Sequence, residues 1–193
     1  MDIRQFFFKN RSYTPIPLVL LLLFFSKPYQ PLIYYGFLLL VVGELFRIWV
    51  VRYAGGRTRT TKVGAPSLCT GGPFAYVRNP IYIGNIILYS GVVLIAGGSI
   101  VWYMLCITLI FFIIQYSLIV SLEQETLKKM FGKEYLIYCK NVPALLPRLT
   151  PWKDAEPQQQ LSFKKVFRPE KNTIFNILLI LILIFVRYQI LSV

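Results

Sequence analysis

The stretch IYIGNIILYSGVVLIAGGSIVWYMLCITLIFFIIQYSLIVSL, residues 81–122, decides the fold class. It contains no charged residue, and only the pair Gly97 and Gly98, which suits a tight turn, interrupts its apolar character. A helix rises about 1.5 Å per residue, so roughly 20 apolar residues cross the hydrocarbon core of a bilayer. The stretch therefore predicts a transmembrane hairpin with spans at residues 81–96 and 100–122.

Three more apolar runs lie outside this hairpin, at residues 13–25, 32–51 and 173–190. Apolar residues make up 56% of the 193-residue chain and charged residues only 15%, against about 45–50% and 25% in soluble domains. No small-x-small cleavage pattern follows the first run, so we expect a retained anchor rather than a signal peptide. The sequence predicts an all-α integral membrane protein with about five transmembrane helices and excludes a soluble or disordered chain.

The formal net charge of +13 is distributed unevenly between the loops. Basic residues cluster before the first span and after the second and fourth, whereas the other loops offer only Lys27 and the glycine turn. Positive loops mark the cytosolic side, so we expect a cytosolic N-terminus, an external C-terminus and contact with anionic lipid. No nucleic-acid motif accompanies the charge, and no nucleic-acid partner is expected. The first two clusters contain Arg4, Lys9 and Arg11, and then Arg52, Arg57, Arg59, Lys62 and Arg78.

The chain has no histidine, which excludes Ser-His-Asp and Cys-His catalysis and removes the commonest metal ligand. Its three cysteines, Cys69, Cys106 and Cys139, are far apart and follow no metal-binding or disulfide spacing. We therefore expect no metal site and no disulfide framework.

Composition also divides the chain near residue 150. Residues 1–150 hold four predicted spans, whereas residues 151–193 begin with a Pro- and Gln-rich stretch and end in the fifth span. We expect a four-span core with a cytosolic site, followed by a flexible linker that tethers the last span loosely.

The first candidate site is the segment LCTGGPFAYVRNPIYIGN, residues 68–85. Arg78 and Asn79 precede Pro80, which suits the first turn of the third span. Free amides at a helix start and an adjacent arginine favour an anionic group, and Tyr82 and Gly84 follow within about one turn. The alternative is that Arg78 and Tyr82 only anchor the helix at the membrane interface.

The second candidate segment, residues 121–149, begins where the fourth span leaves the bilayer. Glu123 and Glu125 there favour a bound cation such as an ammonium or sulfonium group. Residues 123–140 have the pattern of an amphipathic helix on the cytosolic side. The alternative is an interfacial helix that lies on lipid and has solvated charges.

A third feature is the pair Glu44 and Arg47 inside the second span, on one helix face. Ionisable groups in a span usually face a cavity or the bundle interior. The alternative is a buried structural ion pair, with Arg47 extending towards the cytosolic end.

The two segments together resemble the integral-membrane methyltransferases related to isoprenylcysteine carboxyl methyltransferase and the phospholipid N-methyltransferases. Those enzymes have a G-P-Y-x-x-x-R-H-P-x-Y-x-G block, which here reads GPFAYVRNPIYIG at residues 72–84. Their acid-rich stretch, followed by F-G-x-x-Y-x-x-Y and V-P-x-x-x-P, here reads EQETLKKMFGKEYLIYCKNVPALLP at residues 123–147. Two departures are Asn79 in place of histidine and Gln124 between the two acids.

The resemblance covers residues 44–149 and implies that a helical bundle binds S-adenosylmethionine at its cytosolic end. A lipophilic methyl acceptor would enter sideways from the bilayer, and the short chain suggests a bacterial plasma membrane. No catalytic residue is assigned, because positioning the two reactants supplies most of what methyl transfer needs. The residues expected to bind the cofactor are Tyr76, Arg78, Asn79, Tyr82, Gly84, Glu123 and Glu125. Those expected more weakly at the acceptor are Glu44, Arg47, Tyr135 and Arg148.

Two alternatives stay open at this point. One is a membrane reductase of the sterol-reductase type, which would need a nicotinamide pocket. The other is a non-enzymatic assembly factor, lipid-binding protein or small transporter, in which the intramembrane carboxylate of Glu44 would be the functional group.

Overall fold

A computed structural model describes residues 2–55, 63–65 and 67–192 of the chain. Arg57, Arg59 and Lys62 of the predicted basic loop lie outside the described residues. Apart from one β-bridge between Lys27 and Gly97, the described residues form helices and loops. The six α-helices are α1 (Ile3–Asn10), α2 (Ile16–Phe25), α3 (Leu32–Tyr53), α4 (Pro80–Ala96), α5 (Val101–Asn141) and α6 (Phe163–Ser192).

The predicted all-helical membrane class is confirmed. Helices α3, α5 and α6 are long and apolar enough to cross a bilayer, and α2 and α4 are shorter apolar helices. Apolar side chains such as Phe24, Leu38 and Ile114 are exposed on the outside of the bundle, as expected where lipid rather than water is the solvent. Helix α1, at the N-terminus, was not predicted from the sequence.

Helices α3 and α4 pack closely because small residues face each other along their contact. A methyl group at Gly36 would lie 2.7 Å from the carbonyl oxygen of Gly91, and one at Gly43 would lie 2.9 Å from the backbone nitrogen of Leu88. Such contacts between small residues let helix backbones approach and gain dispersion energy where no hydrophobic effect drives association. This pair forms the centre of the bundle, and α2, α5 and α6 pack around α4.

Three clusters of buried side chains follow one another along the bundle. The first joins α2, α3, α4, the start of α5 and α6, and includes Val92, Ile95 and Ile184. The second joins α1, α2, α4 and α5 around Phe112 and Tyr116. The third caps the bundle, where Tyr135, Tyr138 and Val142 pack on Leu68.

Two features of the long helices add to the sequence analysis. The fourth span continues without interruption into the amphipathic segment as far as Gly132, where a φ of 52° and a ψ of −120° break helical geometry and kink α5. The last span contacts the rest of the bundle, because the backbone nitrogen of Leu161 donates to the carbonyl of Arg52 at 2.9 Å and Ile180 and Ile184 enter the core. The predicted domain boundary at residue 150 stays a prediction.

Arg187 marks the end of the bundle opposite the cap. Its guanidinium donates to the carbonyl oxygens of Phe24 and Ser26, at the last turn of α2. These carbonyls have no partner within their own helix, and a cation there also complements the helix dipole. Arg187 therefore joins α6 to α2.

Candidate functional site

A cavity of about 860 Å³ lies between the helices at the capped end of the bundle. Its wall combines side chains of α1, α3, α4, α5 and α6 with the loop segments around residues 63–69 and 158–161. The volume is within the range of about 300–1,000 Å³ that is usual for small-molecule sites. The cavity extends from charged residues near the cap to Tyr89 and Phe112, deep among the apolar helices.

The two sequence motifs meet at the cap of this cavity. The backbone nitrogen of Arg78 donates to the carbonyl of Pro143 at 2.9 Å, and the amide of Asn79 donates to the carbonyl of Ala144 at 2.9 Å. The Tyr138 hydroxyl reaches the carbonyl of Phe74 at 2.7 Å. The segment after α5 is therefore bound to the turn before α4, although more than 60 residues separate them in the chain.

Arg78 lines the cavity, and one of its hydrogen-bond donors is not used within the described part of the protein. Its guanidinium donates to the sulfur of Cys139 and lies 6.0 Å from the ring centroid of Tyr135. The buried Nε of Arg78 has no hydrogen-bond partner among the described residues. A half-buried cation with an unused donor can bind an anionic ligand group, because leaving such a donor unpaired costs free energy.

The structure separates the two glutamates that the sequence placed together. Glu123 lines the cavity, and its Oε2 accepts a hydrogen bond of 3.0 Å from the hydroxyl of Tyr82. Glu125 lies outside the cavity lining, exposed on α5, and forms ion pairs of 2.7 Å with Lys129 and 3.2 Å with Arg4. Residues two apart on a helix do not share a face, so only Glu123 can offer its charge to a ligand in the cavity.

Four other predicted cofactor or acceptor residues also lie outside the cavity lining, and Glu44 is one of them. Tyr76 lines a separate cleft of about 440 Å³ near Trp152. Gly84 is a packing residue, because a methyl group there would lie 2.7 Å from the Cγ of Arg47. Arg148 donates to the carbonyl of Asn141 at 2.7 Å and so closes the loop after α5.

Arg47 sits on the deep wall of the cavity within a buried polar cluster. Its guanidinium lies 3.7 Å from the carboxylate of Glu44 and 2.6 Å from that of Glu170 on α6, and it also donates to Asn85. The Arg47 side chain is only 6% exposed and that of Glu170 only 1%. The predicted pairing of Glu44 with Arg47 is present, and Glu170 is a partner that the sequence analysis missed.

An aromatic wall connects the deep and the outer parts of the cavity. The rings of Tyr82 and Tyr116 stack with centroids 4.3 Å apart and an interplanar angle of 24°, and Tyr116 stacks on Phe112 at 5.3 Å. A ring face that its neighbours leave uncovered attracts a cation placed over it. Asn85 and Tyr116 could have been noticed as polar groups within predicted spans, whereas nothing in the sequence placed them near Arg47.

Cys69, one of the three cysteines for which no metal site or disulfide was expected, also lines the cavity. Burial raises the pKa of the Cys69 thiol to about 12, although a backbone hydrogen bond from Gly71 opposes the shift. The thiolate is the nucleophilic form of cysteine. A thiol that stays protonated at neutral pH offers no nucleophile to a ligand here.

Comparison with known proteins assigns this chain to a family. The sequence model of the family described as phospholipid methyltransferase matches residues 32–134, just over half of the chain. The chain belongs to that family. The matched residues include the whole of α4, with Arg78 and Asn79 before it, and α5 through Glu123. The predicted membership of the membrane methyltransferases is confirmed, and it disfavours the sterol-reductase alternative.

Two curated relatives are similar over 115 residues at 27% identity. One is the cobalt-zinc-cadmium resistance protein CzcN of Cupriavidus metallidurans, and the other is the nickel-cobalt-cadmium resistance protein NccN of Alcaligenes xylosoxydans xylosoxydans. The match covers 60% of this chain and 49% of each relative, so the chain spans about half their length. No solved structure matches the chain. Within the part of the chain that the structure describes, no group of three metal-ligating side chains occurs.

Proposed function

We propose that this protein transfers a methyl group from S-adenosylmethionine to a lipophilic acceptor dissolved in the membrane. The observation that carries the proposal is that Arg78 and Glu123, from the two family motifs, line one cavity. The methionine end of this cofactor has a carboxylate and an ammonium group. The unused donor of Arg78 suits the first, and the carboxylate of Glu123 suits the second.

The rest of the wall also fits the cofactor. The bound cofactor would supply an electrophilic methyl group on a positively charged sulfur. Tyr82 and Tyr116 line the cavity, and an aromatic face that is open to a ligand attracts a positive charge. The hydroxyl of Tyr82 holds the Glu123 carboxylate in one orientation, which favours a defined pose without a general base.

Depth in the bundle supports a lipophilic acceptor. The cavity continues past Tyr82 to Tyr89 and Phe112, side chains that belong to the predicted spans. An acceptor that partitions into the bilayer can reach this depth, whereas a polar solute would lose its hydration there. The chain's own contribution to the reaction is then to hold two reactants in line, which is worth roughly 7–11 kcal/mol in well-oriented systems.

Calorimetric titration of S-adenosylmethionine and S-adenosylhomocysteine into the detergent-purified protein tests the proposal. We expect Arg78→Ala and Glu123→Gln each to weaken binding by about 10- to 100-fold, as expected from a lost charge-assisted hydrogen bond. The matched controls are Arg148→Ala and Glu125→Gln, which change the same residue types outside the cavity lining and should bind like the wild type.

Absence of binding by wild-type protein that shows a cooperative thermal melt would contradict the proposal. Equal weakening by Glu125→Gln and Glu123→Gln would instead contradict the site assignment. The non-enzymatic alternative, a transporter based on Glu44, has less support, because that carboxylate lies 3.7 Å from the Arg47 guanidinium within a buried ion pair.

A further inference from the structure

A chain of hydrogen bonds runs from α6 to the deep wall of the cavity. Glu170 accepts from the Nη2 of Arg47 at 2.6 Å, and the same nitrogen lies 3.1 Å from the hydroxyl of Thr173. The Nη1 of Arg47 donates to the Oδ1 of Asn85, and the Nδ2 of Asn85 donates to the hydroxyl oxygen of Tyr116 at 3.0 Å.

The direction of these bonds follows from the chemistry of arginine. A guanidinium has donors and no acceptor, so the amide oxygen of Asn85 must face Arg47. The NH₂ group of Asn85 must therefore face Tyr116, whose oxygen accepts. The hydrogen bonds between these four residues therefore have fixed donors and acceptors. Arg47 donates both to the buried carboxylate of Glu170 on α6 and to Asn85, and Asn85 donates to Tyr116.

These bonds determine what the hydroxyl of Tyr116 can donate to. A tyrosine hydroxyl has one hydrogen to donate, and Asn85 has no acceptor left on the side that faces it. Tyr116 is a lining residue of the cavity, so its O–H can serve a ligand there. We propose that Tyr116 donates a hydrogen bond to the methyl acceptor, a lipid-like molecule that carries an oxygen acceptor near the methylated atom. This inference rests on the proposed function.

The position of Tyr116 along α5 assigns it to the methyl acceptor rather than to the cofactor. Tyr116 precedes Glu123 by seven residues, two helical turns or roughly 10 Å deeper in the bundle. Its neighbours there are Phe112, Tyr89 and Asn85, and its ring also stacks on that of Tyr82, whose hydroxyl bonds to Glu123 towards the cap. The Tyr116 hydroxyl is bonded to Asn85 and through it to Arg47, so it belongs to the deeper half of the cavity, which a bilayer-dissolved molecule would occupy.

The first test compares Tyr116→Phe with wild type. Transfer of tritiated methyl groups from S-adenosylmethionine to a total lipid extract gives the KM for lipid, and calorimetry gives the affinity for S-adenosylhomocysteine. We expect the KM for lipid to rise about fivefold, the loss of one hydrogen bond, with the S-adenosylhomocysteine affinity unchanged. Tyr103→Phe is the control, because Tyr103 lies on the same helix with 72% of its surface exposed.

The second test reverses the polarity of the chain of bonds. In Asn85→Asp one carboxylate oxygen still accepts from Arg47, while the other accepts from Tyr116 and turns its hydrogen away from the cavity. We expect the KM for lipid to rise as much as in Tyr116→Phe. The double variant should be no worse than either single one, because both remove the same donor.

Each outcome decides between named possibilities. An unchanged KM for lipid in folded Tyr116→Phe overturns the inference. A fall in the affinity for S-adenosylhomocysteine assigns the hydroxyl to the cofactor and overturns the acceptor role. Additive effects of Tyr116→Phe and Asn85→Asp overturn the relay through Asn85. Wild-type protein that neither binds S-adenosylhomocysteine nor methylates lipid overturns the proposed function instead.

Discussion

Two groups of charged residues in this protein have similar distances and opposite surroundings. In the buried group, Arg47 lies 2.6 Å from Glu170, and the two side chains are 6% and 1% exposed. In the surface group, Lys129 lies 2.7 Å from Glu125, and the side chains are 73% and 45% exposed. Water and salt screen the surface pair, whereas neither screens the buried one. The comparison shows that burial, rather than distance, decides which ion pair the fold depends on.

Glu170→Leu should have the largest effect on stability. It leaves the guanidinium of Arg47 buried with only Glu44 as a charged partner, 3.7 Å away. Removing one partner of a buried pair typically costs about 3–5 kcal/mol. We expect a large fall in Tm or loss of the folded protein, measured by a fluorescence melt in detergent. The isosteric Glu170→Gln keeps an acceptor for Arg47 but removes the charge, and we expect it to lose less. Equal losses would show that Arg47 needs the negative charge itself and not only a hydrogen-bond acceptor.

Gly84→Ala should have an intermediate effect on the same buried group. The added methyl group would lie 2.7 Å from the Cγ of Arg47 and 3.3 Å from the ring of Phe46. Overpacking of this kind costs about 1–3 kcal/mol. Helix propensity alone favours alanine over glycine by about 1 kcal/mol. A Tm that rises would therefore contradict the close contact, and Ser121→Ala on the exposed side of α5 is the comparison variant.

Glu125→Gln should have the smallest effect. Its partners Lys129 and Arg4 are at the surface, where an ion pair contributes little to stability and salt weakens it. We expect a Tm that matches the wild type within error at physiological salt, measured beside Glu170→Gln. A fall in Tm as large as that of Glu170→Gln would contradict the distinction between the buried and the surface group.

The pH dependence of the cap at Asp2 gives a further test of the surface charges. Hydrogen bonds from Arg4, whose backbone nitrogen Asp2 caps at 2.9 Å, lower the pKa of the Asp2 carboxyl. A lowered pKa in the folded state means that the stabilisation is present above the unfolded pKa and is lost as pH falls through the folded one. We expect acid to loosen α1 only below the usual titration range of aspartate. Amide exchange of residues 4–6 over that range would measure it, with Asp2→Ala, which removes the cap, already loosened at neutral pH.

The sequence predicted what depends on local pattern. Apolar run length predicted the helical membrane class, and the residue types around Arg78 and Glu123 indicated a site for opposite charges. The sequence could not show that Glu123 lines the cavity while Glu125 lies at the surface, because this depends on which face of α5 packs against α4. It also missed Glu170, because a polar residue eight positions after a linker gives no sign that it will meet Arg47 from another helix.

Helix α5 supplies both the side and the roof of the cavity, with Glu123 before Gly132 and Tyr135 after it. An inserted or deleted residue between Glu123 and Gly132 would rotate everything beyond it by about 100°. Tyr135 and Tyr138 would then leave their places over Arg78 and Phe74. The non-helical Gly132 is the one point in α5 where the backbone has already left the regular spiral. Length changes in natural variants of this helix should therefore be excluded from the eight residues between Glu123 and Gly132 and accumulate elsewhere.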